Sequence, residues 1–323
     1  MKNDIETANK GETAFDADDL NLIKLAQDYS DEDKARALLE SWRWPGGKPI
    51  CPHCKFDESY KVTSKPDTKN KVRKGLYYCA ACRKPYTATV GTVMEDSHVP
   101  ISKWMMAFFL ICSSKKAISA HQLHRMLGVT YKTAWFMAHR IRYAFGGDNT
   151  KLTGTVEVDE TFVGGKGERK TNFSRHVPVV ALIERGGKMH TRVVSNVSQK
   201  NLGQCLNECV DKSAIVNTDN HDAYKPALKE YKRHDTVNHS RFEYSRTNAD
   251  GTKSGINTCE SFFSLLKRGV YGSWHHVSRE HLPKYANEFG FRWNTRKLTD
   301  GARMAFAVPM IEGKRLLYRK PAN

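Results

Sequence analysis

Two tight cysteine pairs, Cys51-Pro-His-Cys54 and Cys79-Ala-Ala-Cys82, constrain the fold of this chain more than any other feature. A two-residue spacer lets both thiolates of a knuckle turn toward one ion, and two such knuckles make a tetrahedral zinc site. The flanking residues have strand character: YKV and GLYYC lie between the knuckles, and CRKPYTATVGT is expected to continue as strand. The pattern predicts a zinc ribbon in which Cys51, Cys54, Cys79 and Cys82 hold a structural Zn²⁺. Four thiolates leave no open position for water, which argues against a catalytic zinc. His53 reads as a solvated turn residue. A ribbon this small cannot bury much core, so the metal supplies its folding energy.

Charge narrows the partner. The 323 residues carry a formal net charge of +17. Residues 1–40 hold 11 Asp+Glu against 5 Lys+Arg, so the remainder carries +23. A basic body with an acidic leader suits a polyanion, and nucleic acid better than a membrane surface. No apolar run approaches the roughly 20 residues of a bilayer span, and MKNDIETANKGE lacks the hydrophobic core of a signal peptide. The expectation is a soluble, cytoplasmic, nucleoid-associated protein with no membrane partner. On the ribbon, Lys55, Lys61, Lys65, Lys69, Lys71, Arg73, Lys74, Arg83 and Lys84 interleave with Tyr60, Tyr77, Tyr78 and Tyr86. That mixture suits a surface gripping a DNA backbone; the alternative is that the aromatics are the ribbon's minimal core and the lysines keep it soluble.

Upstream, residues 1–45 read as two short helices, with Ser30 and Asp33 as a capping pair and Trp42 and Trp44 closing onto the ribbon (46–97). Residues 98–150 are helical. ISKWMMAFFLIC is a buried helix, SAHQLHRML a second that stops at Gly128, and Thr130 caps a third carrying Lys132, Arg140 and Arg142. This resembles a helix-turn-helix, whose second helix would enter the major groove. His121, His124 and His139 read as packing or solvated positions.

From residue 151 the pattern changes to α/β. TGTVEVDETFVGG alternates as a strand, followed by the basic loop KGERKTNFSRH. VPVVALIERGGKMHTRVVSNVS is a hairpin turning at Gly186-Gly187. Then come a helix (QKNLGQCLNECVDK), a strand (AIVNTD), a helix (HDAYKPALKEY), a short strand (HDTVNHS) and a helix (INTCESFFSLLKRGV). Three strands, helix, strand, helix, strand, helix is the succession of a ribonuclease-H-like fold, in which the first and fourth strands are neighbours. The fold class is α+β multidomain: zinc ribbon, helix-turn-helix-like segment and a mixed five-stranded sheet with helices. The last domain spans 151–312 and a basic tail 313–323.

That topology brings Asp159, Asp219 and Glu260 together. Two strand-end aspartates and a helical glutamate are the parts needed to hold a pair of Mg²⁺ ions for phosphodiester displacement. Glu157 shares a strand face with Asp159, and Glu160 points the opposite way. Asp159 is preferred because it sits where the valine run stops. Lys267 lies seven residues after Glu260, on nearly the same helix face, where it could meet a phosphate backbone.

WRWPGGKPICPHC, YYCAACRKPYTATVGT, EVDETFVGGK, TDNHDAY and NTCESFFSLLKRGVYGSWHHVSREHLPKYANEFGFRWNTR, in that order, resemble insertion-sequence transposases of the bacterial ISXO-like group, over about residues 16–312. The resemblance implies an N-terminal zinc ribbon and a DDE-type catalytic domain with Asp159, Asp219 and Glu260 as ligands of two Mg²⁺, replaceable by Mn²⁺, and Lys267 as the accompanying basic residue. It further implies cleavage at terminal inverted repeats, strand transfer into target DNA, and a homodimer or larger assembly on double-stranded DNA. Such proteins often carry Gly-Trp after the second aspartate, where this chain has Asn220-His221. Arg292, Trp293 and Asn294 are expected to brace the domain. A same-fold nuclease without joining activity, a non-catalytic zinc-ribbon/helix-turn-helix regulator and a zinc-dependent hydrolase remain alternatives.

Overall fold

The computed structural model describes residues 17–64, 72–164, 176–238, 241 and 243–317. Lys65, Lys69, Lys71, nearly all of the loop KGERKTNFSRH and the last residues of the basic tail lie outside them. The chain forms two compact units. One comprises residues 1–114, 118–145 and 298–323, and the other residues 115–117 and 146–297.

The first unit opens with a helical turn, Ala17–Asp19, followed by α1 (Leu22–Tyr29) and α2 (Glu32–Arg43). The cap of α2 is Asp31 rather than the expected Ser30. The Asp31 carboxylate accepts the N–H groups of Asp33 (3.0 Å) and Lys34 (2.9 Å), and a full negative charge suits the positive helix start better than a hydroxyl. Beyond α2, Trp44 is buried with its ring edge-on to Tyr77 and Tyr86, while Trp42 is only half-buried. The ribbon itself is β1 (Ser59–Val62), β2 (Leu76–Cys79) and β3 (Pro85–Tyr86), antiparallel in that order. The strand expected through CRKPYTATVGT ends at Tyr86. Gly91 takes φ +75°. The Thr92 hydroxyl donates to the Thr89 carbonyl (2.6 Å) and accepts from the Met94 N–H (3.0 Å). Local side-chain bonds of this kind compete with a β-ladder.

The helical segment is α3 (Ile101–Ser113), α4 (Ala120–Leu127) and α5 (Tyr131–Ala144). Pro100 offers no side-chain cap to α3, and Glu32 supplies one from α2: its carboxylate accepts the N–H groups of Ile101 (2.8 Å) and Ser102 (3.1 Å). As expected, α3 buries Trp104, Met105, Phe108, Phe109 and Ile111. Helix α4 stops at Gly128 in the left-handed region, and Thr130 caps α5 through the Thr133 N–H (3.2 Å). The arginines on α5 depart from the reading of them as groove residues. Arg140 and Arg142 are buried, and Arg140 donates to the Glu95 carbonyl (2.9 Å). The C-terminal half of α5 turns nearly all of its circumference into the core. A helix at Asp300–Ala307, placed by sequence at the end of the 151–312 domain, packs in this first unit against α3. Gly301 permits the approach: a Cβ there would lie 2.1 Å from the Ala17 carbonyl oxygen.

The second unit is built on a five-stranded sheet of β4 (Thr155–Val163), β5 (Val177–Glu184), β6 (Met189–Val193), β7 (Ile215–Asp219) and β8 (Arg233–Val237). The order is β6-β5-β4-β7-β8. Antiparallel pairing joins β4, β5 and β6, and parallel pairing joins β4, β7 and β8. The first and fourth strands of the domain are thus neighbours, as the succession of elements required. Strand alternation divides the core. Val156, Val158, Val180, Leu182 and Val216 pack with Leu202 and Leu206 of α6 (Gln199–Cys209). On the opposite face, Val179, Ala181 and Ile183 pack with Phe262, Phe263 and Leu266 of α7 (Asn257–Gly269) and Phe289 of α8 (Leu282–Asn294).

Two features differ from expectation. HDAYKPALKEY forms successive turns instead of a helix. Its bonds are mainly short-range, such as Tyr224 N–H to His221 carbonyl (3.2 Å) and Tyr231 N–H to Leu228 carbonyl (3.1 Å). Pro226 removes a donor from the middle of the run. Between β8 and α7 lies a hairpin the sequence reading missed, β9 (Ser245–Thr247) and β10 (Lys253–Gly255). Gly251 supplies its turn at φ +78°. Asn294 does brace the domain: its side chain accepts from the Met189 N–H (2.8 Å) and donates to the Met189 carbonyl (3.1 Å).

Candidate functional site

The four knuckle cysteines meet as predicted. Their sulfurs all lie within 4.8 Å of one another, and none is in a disulfide. Burial works against a thiolate at Cys79, yet the Cys82 N–H and the Cys54 thiol bring its pKa down to about 7. Four converging sulfurs, one already inclined to ionise, are the donor set of a structural zinc. His53 is exposed and stands outside the cluster.

The acidic residues of the second unit are placed by register. Along the parallel β4/β7 ladder Thr155 pairs with Ile215, Val156 with Val216 and Glu157 with Asn217. Continued two residues, the same register sets Asp159 beside Asp219. Asp219 ends β7, whereas Asp159 lies in the middle of β4, which runs on to Val163 paired with β5, and is not the strand-end residue expected where the valine run stops. Asp159 also pairs with Ala181 of β5, whose carbonyl accepts from the thiol of Cys259 (3.8 Å); that thiol lies 3.4 Å from the Glu157 carbonyl as well. Helix α7 is thereby pressed onto the Asp159 face of the sheet, and Glu260 follows Cys259 on its exposed side.

The Asp159 carboxyl is pushed up to about 8, first by burial and then by the charges of Glu160, Asp219 and Glu260, against the opposing Glu160 N–H. That N–H donates to Asp159 Oδ1 (2.8 Å). Carboxylates close enough to raise the pKa of Asp159 favour a cation beside it. They are not in ligand contact with each other: among the described residues only the four cysteines gather within 4.8 Å. Lys267 lies in the last turn of α7, half-buried.

The two acids that could contest Asp159 are otherwise engaged. Glu160 points to the opposite face, where it accepts from the buried Tyr224 hydroxyl. Glu157 is 2% exposed. One of its oxygens accepts from Arg185 Nε (2.7 Å) and the other from the Thr258 N–H (2.8 Å) in the first turn of α7. Arg185 also donates to the carbonyls of Lys253 and Gly255, the strand leading into that helix. Glu157 and Arg185 therefore fix the helix of Glu260 to the strand of Asp159. No pattern announced this role, because Arg185 lies just past the end of β5 and the bonds are long-range. The departure at Asn220-His221 has a local consequence: the His221 N–H donates to Asp219 Oδ1 (3.1 Å), and its Nδ1 accepts the Ala223 N–H (3.2 Å).

Replacing Arg185 with Ala strands the buried Glu157 charge, and the expected cost is about 2–4 kcal/mol of stability. Urea unfolding of the variant measures it; a loss below about 0.5 kcal/mol would remove the clamp from the account.

Residues 151–294 match the family model of the ISXO2-like transposase domain, and residues 30–85 that of the transposase zinc-ribbon domain. The chain is also 29% identical over 290 residues to an uncharacterized protein in transposable element ISH50 of Halobacterium salinarum, an alignment covering 82% of this chain and 91% of that one. No described helix is long and apolar enough to cross a membrane. A cysteine-clustered ribbon followed by a ribonuclease-H-like sheet thus matches, in the expected order, the transposase zinc-ribbon domain and the ISXO2-like transposase domain.

Proposed function

We propose that the protein binds the terminal inverted repeats of its own insertion sequence and catalyses Mg²⁺-dependent strand cleavage and strand transfer, with Asp159, Asp219 and Glu260 as the metal-holding carboxylates. The observation that carries this is the parallel pairing of β4 with β7, which sets Asp159 beside Asp219, with the Glu260 helix packed on the same face and the charges of Asp219 and Glu260 both acting on Asp159. Hard carboxylate oxygens from two strands and a helix fit magnesium. When bound, a metal pair would make an attacking hydroxyl nucleophilic and offset charge on the leaving oxygen. The chain's own contribution is positional. Glu157 and Arg185 hold the Glu260 helix in register, the His221 N–H orients Asp219, and Lys267 offers a cation on the same helix for the DNA backbone.

DNA recognition is assigned to the first unit. Residues 118–145 contain no Asp or Glu and four Lys or Arg. With Arg140 and Arg142 buried, the groove-facing surface belongs to the exposed start of α5 and the side of α4: Tyr131, Lys132, Gln122 and Arg125. The His121 ring stacks on Tyr131 at 4.2 Å. Helix-turn-helix proteins read bases with just this end of the second helix. Cutting two ends and joining them together calls for at least two catalytic domains, hence a dimer or larger assembly on DNA.

The test is incubation with DNA carrying the element's ends and a supercoiled target. Nicked and joined products should appear with Mg²⁺ or Mn²⁺ and vanish with a chelator that leaves zinc in place. Cleavage without joining of pre-cut ends would make the protein a nuclease of the same fold. Binding without either would make it a regulator.

A further inference from the structure

The tyrosines of the ribbon divide into two sets with different surroundings. Tyr77 and Tyr86 are buried, stacked at 5.7 Å and closed off by Trp44; they are the ribbon's core. The other set faces outward. Tyr60 on β1 lies directly opposite Tyr78 on β2, and Tyr78 directly opposite Pro85 on β3. These three residues therefore form one cross-strand row on the outer face of the sheet. The Tyr60 and Tyr78 rings are stacked with an interplanar angle of 15°. Tyr60 is 57% exposed and Pro85 is exposed.

An outer ribbon face needs polar residues for solubility, and a flat row of rings there has no role in the core, which Trp44, Tyr77 and Tyr86 already fill. Its chemistry is that of a stacking surface. Arg83 and Lys84, immediately before Pro85, are exposed and have no acidic partner among the described residues. Residues 46–97 as a whole carry ten Lys or Arg against five Asp or Glu. Aromatic faces flanked by unpaired cations suit a strand whose bases are available for stacking and whose phosphates need neutralising. A duplex hides the faces of its bases and can offer such a row nothing but its backbone.

We infer that the row Tyr60–Tyr78–Pro85 is a stacking platform for unpaired nucleotides, with Arg83 and Lys84 meeting the adjoining phosphates. This rests on the reading of the protein as one that acts on DNA ends, where unpaired bases arise as strands are cut. The platform deepens that reading by giving the ribbon a different ligand, exposed bases, from the duplex assigned to α4 and α5.

The experiment uses the zinc-loaded full chain and a fluorescently labelled single strand and blunt duplex of one sequence, followed by anisotropy. Tyr60→Ala is expected to weaken single-strand binding about tenfold while changing duplex binding less than about twofold; Tyr60→Phe should behave as wild type. A 2-aminopurine base in the single strand should be quenched on binding by the wild type and not by Tyr60→Ala. Equal losses on both DNAs, or no loss on either, would overturn the platform, the latter leaving the row to a protein partner. The functional reading fails separately: single-strand binding that depends on Tyr60 with no metal-dependent cleavage would keep the platform and remove the transposase chemistry.

Discussion

Asp159→Asn is expected to reduce strand cleavage by on the order of a thousandfold while making the metal-free protein more stable. Both effects have one cause. The Asp159 carboxyl is half-buried, acted on by the charges of Glu160, Asp219 and Glu260, and its pKa is pushed up to about 8. An unfolded aspartate titrates near 4. The folded state thus holds this proton more tightly than the unfolded state. Stability from the group is fully present below about pH 4 and is lost progressively as pH rises toward about 8. Asparagine cannot ionise and escapes the loss. Without metal, the variant should exceed the wild type by on the order of 2–4 kcal/mol near pH 8, and the gap should close near pH 4. Added Mg²⁺ should raise the melting temperature of the wild type at pH 8 and leave Asp159→Asn unmoved. Thermal melts across pH, with and without Mg²⁺, read all of this without an activity assay. A variant that melts with the wild type at every pH, or that still cleaves, would take Asp159 out of the site.

Stripping zinc should have the larger structural effect. The ribbon's strands are four, four and two residues long, and its aromatic core consists of Trp44, Tyr77 and Tyr86. So little apolar area cannot offset the ordering of this segment; a four-thiolate zinc contributes on the order of 10 kcal/mol or more. Chelation, or Cys79→Ser, is expected to open the ribbon to trypsin at its many lysines while the second unit, with its own two-sided core, keeps its circular-dichroism signature. Resistance of the chelated ribbon to protease would mean that something other than the cysteine cluster holds it.

Where the local pattern and the tertiary environment agree, the sequence was readable. The alternation of residues 155–163 predicts a two-sided strand, the knuckle spacing predicts the sulfur cluster, and the fixed succession of elements predicts which strands are neighbours. That is enough to make neighbours of β4 and β7, the strands that carry Asp159 and Asp219. Where long-range contacts decide, the pattern misled or was silent. Arg140 and Arg142 look like groove cations on a helical wheel, yet the fold buries them, one against the Glu95 carbonyl. HDAYKPALKEY has helical composition, but Pro226 and bonds to near neighbours keep it in turns. The Glu157–Arg185 clamp joins residues whose relation exists only once β4, β10 and α7 are assembled. Of the outward row on the ribbon, Tyr60 and Tyr78 were visible only as two of four tyrosines, since parity on strands this short needs the register to be known.

The close seat of Gly301 against Ala17 fixes an order of events during synthesis. Residues 146–297 leave the ribosome as one nearly uninterrupted block and can settle their sheet as they emerge. The earlier-made segment must wait for residues 298–317 to arrive and complete its packing. A product stopped near residue 297 would therefore carry a finished five-stranded sheet and an incompletely packed first unit.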